Sequence, residues 1–234
     1  FMKECSLLFK QEPEIIEQDI LKLITAIEGQ LEKGKLKAES TSIDSSEADV
    51  KHGLVLGKHK NLMEQIVKDM EALGYLGEEN NKRIAYLAMT SRKMKQTLSV
   101  MILSASGAGK SALQDTTLKL CPEDELVKLT TISEKALFYK EADSLKHKVL
   151  AIAEDAGAEN AAYAIRNLIS SGELIIESTI KDPITGRMTT MQNTVKGPTS
   201  VFKTTTSIHT DPETRSRFII LTVDESKEQT SRVL

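Results

Sequence analysis

The sequence is short of cysteine, has no basic excess and contains no long apolar run, and each shortage excludes a class of protein. Its two cysteines, Cys5 and Cys121, are too few and too far apart for a zinc-ligand set or a disulfide framework, so free thiols are expected. Lys and Arg total 31 against 34 Asp and Glu, a net charge of -3. Any contact with nucleic acid must therefore come from local basic groups and not from bulk charge. No stretch approaches the roughly 18 consecutive apolar residues of a membrane-spanning helix. The apolar run after Lys3 and Glu4 is too short for a secretory signal, and a cytoplasmic protein without membrane contact is expected. No internal repeat is visible. What is present is an ordinary soluble mixture, in a chain of 234 residues that can build one large α/β domain and a smaller helical part.

Ile16, Ile20, Leu23, Ile24, Ile27 and Leu31 recur at helical spacing, which predicts an amphipathic helix over residues 13–33 with Pro13 near its start. Residues 37–51 are rich in Ser, Glu and Asp with almost no apolar pattern, and read as a linker or loop. Helices are predicted over 61–73 and 78–94, separated by a turn around Gly74 and Gly77. Met63, Met70, Met89 and Met94 are spaced as helix core. The pattern then changes to short apolar runs at 98–104, 126–131, 148–154, 200–206 and 218–224, most of them separated by helical stretches. Five buried strands alternating with helices predict a parallel α/β sheet.

SASGAGKS, residues 104–111, follows the first strand and opens a helix over 111–120 that stops before Pro122. This is the P-loop pattern with one departure: Ser104 stands where the first glycine is usual. Ser106, Gly107, Ala108 and Gly109 would wrap the backbone so that consecutive N–H groups face phosphate oxygens. The helix N-terminus through Ala112 adds positive potential at the same point. Lys110 would reach the β- and γ-phosphates of ATP, and Ser111 would coordinate Mg²⁺. A Gly-rich turn before a helix can also be purely structural. Leu113, Leu118 and Leu120 are expected to face the sheet, and His147 to be a surface or capping group.

The strand KVLAI continues into Ala153, Glu154 and Asp155, which puts two adjacent acids at the carboxyl edge of the sheet, where ligands of open α/β sheets bind. Glu154 is assigned to Mg²⁺ and Asp155 to the attacking water, by order only; the roles can be exchanged, and such pairs are often merely solvated. Past a helical stretch over 159–171, β-rich arms at 174–180 and 188–195 flank the turn DPITG, which predicts a hairpin. Lys181 and Arg187 would sit at its tip and Lys196 near its base.

A P-loop strand, an acidic strand, a helix, a hairpin, a polar-ended strand and the tripeptide S-R-F together resemble the AAA+ ATPases with a hairpin before sensor 1, of which the minichromosome-maintenance helicases are well-known members. The resemblance implies a five-stranded AAA+ sheet with a β-hairpin insertion, and a hairpin projecting into a ring's central channel, where Lys181, Arg187 and Lys196 would touch DNA. It also implies that Thr205 and Thr206 stand where a sensor-1 residue, usually Asn, contacts the γ-phosphate and attacking water. Arg217 of S-R-F would be the arginine finger that reaches the neighbouring subunit's nucleotide, with Arg215 as a second candidate. The strings YLAMTSRKM, KALFYKEADSLKHKVLAIAEDAGAE, YAIRNLIS, GPTSVFKTTT and SRFIILTVDES are similar to bacterial DNA primase/helicase proteins that carry a CHC-type zinc finger ahead of the ATPase. No such finger can be assembled from this chain, so priming is not expected of it. It reads as a piece of a longer protein with an incomplete helical lid.

The expected organisation is a helix and linker over 1–55, a helical region over 56–96 and an ATPase core over 97–234. The expected function is that of a Mg²⁺-dependent ATPase, the motor of a DNA helicase assembled with copies of itself as a ring or hexamer, on single-stranded DNA. Two rivals remain open: a protein-remodelling or regulatory ATPase, and a nucleotide-dependent scaffold that does not hydrolyse. The alternative readings are a hairpin that is a flap packed on the sheet and an Arg217 that makes a surface ion pair.

Overall fold

The computed structural model describes Lys22 and residues 46–133, 135–153, 161–181, 186–208 and 210–226. All but Lys22 of the helix expected over 13–33, the larger part of the polar stretch 37–51, Cys5, the Glu154 and Asp155 pair and most of the DPITG turn lie outside the described residues. The chain divides into two units, Phe1–Lys51 and His52–Leu234.

Helix α1, Glu47–Gly57, takes up residues expected to be linker, and it buries none of its side chains. The local reason is a reciprocal cap. The Ser46 hydroxyl accepts the Asp49 N–H at 3.2 Å while the Asp49 carboxylate accepts the Ser46 N–H at 3.1 Å. This S-x-x-D box starts a helix without an apolar stripe.

Helices α2, Leu62–Ala72, and α3, Glu79–Thr90, are in contact and are joined by the turn containing Gly74 and Gly77. Their apolar periodicity is expressed in buried Ile66, Val67 and Met70 on α2 and Ala85, Ala88 and Met89 on α3. Helix α3 ends at Thr90 in a single 3₁₀ turn, so Met94 lies beyond the helix and is 62% exposed, contrary to its expected core position.

Seven strands follow: β1, Val100–Leu103; β2, Leu126–Leu129; β3, Lys148–Ile152; β4, Glu173–Lys181; β5, Met188–Lys196; β6, Thr199–Thr205; and β7, Ile219–Thr222. Five make one parallel sheet in the order β2-β3-β6-β1-β7. This is the expected α/β P-loop fold. Alternate residues serve opposite faces. Val100, Ile102, Val149, Ala151 and Phe202 pack with α2, α3 and α4, Lys110–Leu118. Met101, Leu150, Ile152 and Val201 pack with α5, Ala162–Ser171, and with the base of the hairpin. Leu113 and Leu118 are buried as expected, and Cys121 is a buried free thiol whose titration burial pushes upward. His147 precedes β3 with φ +57°; its N–H donates to the Pro198 carbonyl and its ring Nδ1 lies 2.9 Å from the Arg92 carbonyl.

Strands β4 and β5 pair only with each other, antiparallel over nine residues each. Leu174 and Val195 are buried at the base, whereas Ile180, Met188 and Met191 in the distal half are exposed. The neck is tight: a Cβ added to Gly197 would stand 2.7 Å from the Gly172 carbonyl oxygen.

Candidate functional site

The P-loop leaves β1 at its carboxyl end and enters α4 at Lys110. Gly107 and Gly109 have φ of +81° and +95°, a conformation that side chains disfavour, which is why glycine is needed at both. The curve has a chemical consequence. Among the described residues, the backbone N–H groups of Ser106, Gly107, Gly109, Lys110, Ser111 and Ala112 find no acceptor in the protein. Unpaired, neighbouring N–H groups at a helix start form a concave site for an anion, so the residues present fit a triphosphate.

Lys110 is buried at 6% exposure, and its ammonium donates to the Ser104 and Ala105 carbonyls at 3.0 and 2.5 Å. The loop thus holds its cation against its own backbone. Ser104 occupies the usual glycine position for a structural reason absent from the motif. Its hydroxyl donates to the Leu103 carbonyl at 2.6 Å and accepts the Val223 N–H at 2.8 Å, which ties the loop to the end of β7.

A cavity of about 400 Å³ opens against the loop. One wall is the backbone from Ala105 to Gly109 together with Ala112; the others are the α2–α3 turn at Gly74, Tyr75, Leu76 and Glu78, and the β7 exit at Val223, Asp224 and Glu225. These last two walls were not foreseen, because their only signal in the sequence is the pair of glycines flanking Tyr75 and Leu76. The Glu78 carboxylate organises them: it accepts the Tyr75 hydroxyl at 3.1 Å, the Asn81 amide at 2.8 Å and the Asp224 N–H at 2.8 Å. Glu78 itself has φ +55°, a left-handed backbone that this set of bonds holds. Burial, and then the Glu78 charge, push the Tyr75 phenol upward, so it stays protonated and donating. The Glu225 carboxylate accepts the Ala105 N–H at 2.7 Å.

Thr205 and Thr206 separate in the structure. Thr205 is fully buried at the end of β6 in register with Leu103, and its carbonyl accepts the Ser104 N–H at 3.4 Å. Its hydroxyl also accepts the Ser207 N–H at 3.0 Å. Thr206 follows the strand and is exposed. Strand β3 ends at the same carboxyl edge, one strand beyond β6, and Glu154 and Asp155, which come after it in the sequence, lie outside the described residues. Lys181 pairs with Met188 at the distal end of the hairpin, beside exposed Arg187, and Lys196 pairs with Glu173 at the base. Among the described residues no cluster of His, Cys, Asp or Glu could hold a metal ion by itself, and no helix is long and apolar enough to cross a membrane.

Arg217 precedes β7 by two positions, at the amino edge of the sheet, whereas the P-loop leaves the carboxyl edge. Its guanidinium donates to the Ser170 hydroxyl of α5 at 2.6 Å and to the Glu213 carbonyl, and pairs with the Glu213 carboxylate at 3.2 Å.

In comparison with known proteins, residues 56–234 match a protein family described as the MTBMA_p00010 P-loop domain. No curated protein matches.

Proposed function

The chain belongs to that P-loop domain family, and on this premise we propose that it is a Mg²⁺-dependent ATPase of the AAA+ type, the motor module of a DNA primase/helicase-like protein. The observation that carries the reading is the set of unpaired N–H groups of Ser106, Gly107 and Gly109 to Ala112 at the mouth of a cavity about 400 Å³ in volume. The loop N–H groups would hold the phosphates, Lys110 would leave its carbonyl partners for the β- and γ-oxygens, and Ser111 would ligate Mg²⁺. Glu154 and Asp155 would serve the metal and the attacking water. When bound, Mg²⁺ supplies charge neutralisation at the phosphates.

The strand order supports the motor reading. Strand β6 lies between the P-loop strand β1 and the acidic strand β3, so its end stands between the two halves of the proposed site. The register of Thr205 with Leu103, where the loop begins, supports the sensor role proposed for it. An arginine from residues 211–217 would act on a second copy's nucleotide, since its own P-loop is at the other edge of the sheet.

The hairpin is the proposed contact with single-stranded DNA, through Lys181, Arg187 and Lys196. The protein-remodelling reading also has an observation in its favour, the exposed Ile180, Met188 and Met191 beside those cations, which suit an apolar peptide. Phosphate release from ATP separates the two. Stimulation by single-stranded DNA that is lost on K181E/R187E supports the motor on DNA. Stimulation by unfolded protein and indifference to DNA supports the remodeller, and no release above that of Lys110→Ala supports the scaffold.

A further inference from the structure

Helix α1 buries none of its side chains, yet it is not a polar helix. Val50, Leu54 and Val55 are 50%, 56% and 66% exposed, and Leu56 is 38% exposed. Val50 and Leu54 are one turn apart, and Gly53 and Gly57 fall on the same side, because residues 50, 53, 54 and 57 repeat at intervals of three and four. The fold of the chain itself explains neither glycine. Neither has a positive φ, so Gly57 is not a left-handed cap, and a Cβ at either would meet no atom within 4 Å. Glycine disfavours a helix relative to alanine, so the pair weakens α1 with no local return. What the two glycines offer is a shallow strip along which the backbone of another helix can come close.

The charges along the helix say what fits that strip. Glu47 and Asp49 stand in its first turn, and Lys58 and Lys60 follow its last. Asp49 is engaged in the cap with Ser46, whereas the side chains of Glu47, Lys58 and Lys60 have no ion pair or hydrogen bond among the described residues. Acid at the start and base at the end suit the dipole of the helix, but the dipole gives no reason for exposed Val50, Leu54 and Val55. A second α1 laid antiparallel answers both features. It sets the acidic start of each helix beside the basic end of the other, and the Val50 and Leu54 side chains of each against the glycine strip of the other. A parallel partner would set acid against acid and base against base. Residues 47–60 supply both halves of the match, so the occupant is a second copy of this chain.

We propose that α1 is a two-fold self-association site, in which the α1 helices of two copies pack antiparallel through Val50, Gly53, Leu54 and Gly57, with Glu47 of each facing Lys58 of the other. Such a contact uses the same patch on both copies and closes after two, so it cannot generate a head-to-tail ring by itself. It is a surface apart from the nucleotide site and needs no ATP. At about 1.5 Å per residue α1 is about 16 Å long, too short to cover the roughly 800 Å² per partner of a stable interface. The association is therefore weak and concentration-dependent.

The test uses the full chain without nucleotide, and reads sedimentation equilibrium over a range of concentrations together with melting temperature and helical circular dichroism. L54A should weaken dimer formation on the order of ten-fold. G53A/G57A should raise the helical signal, since alanine is the better helix former, and still weaken the dimer; a gain in helix with association unchanged overturns the proposal. E47K alone and K58E alone should each weaken association, because each sets like charges together at both ends. An equal mixture of E47K and K58E should associate more tightly than either, because the mixed pair restores opposite charges at both ends. A mixture no tighter than its components overturns the antiparallel arrangement. A chain that stays monomeric up to about 1 mM, or an association that survives every one of these variants, overturns the site. If L54A lowers the melting temperature of a chain that is monomeric throughout, another part of the same chain covers α1 and the proposal falls.

Discussion

The Glu78 carboxylate accepts the Asp224 backbone N–H at 2.8 Å, joining residues 146 positions apart and closing the nucleotide-sized cavity on the side away from the P-loop. Through that bond the α2–α3 turn becomes part of the candidate site. Glu78→Ala removes the acceptor of three donors, those of Tyr75, Asn81 and Asp224. The expected cost is about 1–3 kcal/mol of stability, seen in denaturant unfolding, together with weaker binding of a fluorescent ATP analogue. Unchanged affinity would remove the turn from the site.

Lys110→Ala tests the loop itself. The ammonium makes charge-assisted bonds to the Ser104 and Ala105 carbonyls and is proposed to exchange them for phosphate oxygens. Loss of one such bond, about 1.5–3 kcal/mol, corresponds to roughly ten-fold to a hundred-fold weaker binding. An equilibrium titration that finds less than a three-fold change, set against the roughly ten-fold floor from the same bond energy, would contradict the assignment.

Ser104→Gly restores the usual P-loop glycine and should nevertheless destabilise the protein. The substitution removes the hydroxyl that accepts the Val223 N–H at 2.8 Å and adds backbone freedom to the unfolded chain. Together these are worth about 2 kcal/mol, a fall of about 4–8 °C in melting temperature. Nucleotide affinity should change little, since the unpaired N–H groups begin at Ser106. A higher melting temperature would show that Ser104 is a compromise with function and not a strut.

Asp211 gives helix α6, Pro212–Arg215, a pH dependence of known sign. Its carboxyl is held below the usual aspartate range chiefly by the Thr214 N–H, with the Thr214 hydroxyl next and further help from the Glu213 N–H and the Arg166 charge. A depressed folded value means that the stabilisation is complete above the unfolded value and is lost as pH falls through the folded one. Melting temperature should therefore decline as pH falls through and below the usual aspartate range, and Asp211→Asn should flatten that decline. An identical profile in the two proteins would show that the cap carries no net stability.

The legible parts of this protein were those written in local pattern. Apolar runs of about six or seven residues contain all five strands of the parallel sheet to within a residue, and hydrophobic spacing predicts α2, α3 and α5 to within a few residues. Positive φ at Gly107 and Gly109 follows from steric rules acting on the motif alone. The same logic failed at Met94, because helical spacing continues past Thr90 although the chain turns into a 3₁₀ end. It also failed at residues 47–51, where a charged stretch is helical through the Ser46 and Asp49 cap and not through an apolar face.

What the amino-acid sequence determined by itself is the P-loop, the α/β alternation and the hairpin, since each depends on backbone preferences and periodicities that act over a few neighbouring residues. Only the tertiary structure decided that Thr205 stands beside the loop while Thr206 faces solvent, that Glu78 reaches Asp224, and that Arg217 is bound to Ser170 and Glu213. Those are outcomes of strand order and of side-chain pairing between segments remote in sequence, set by which buried polar groups find partners when the layers close.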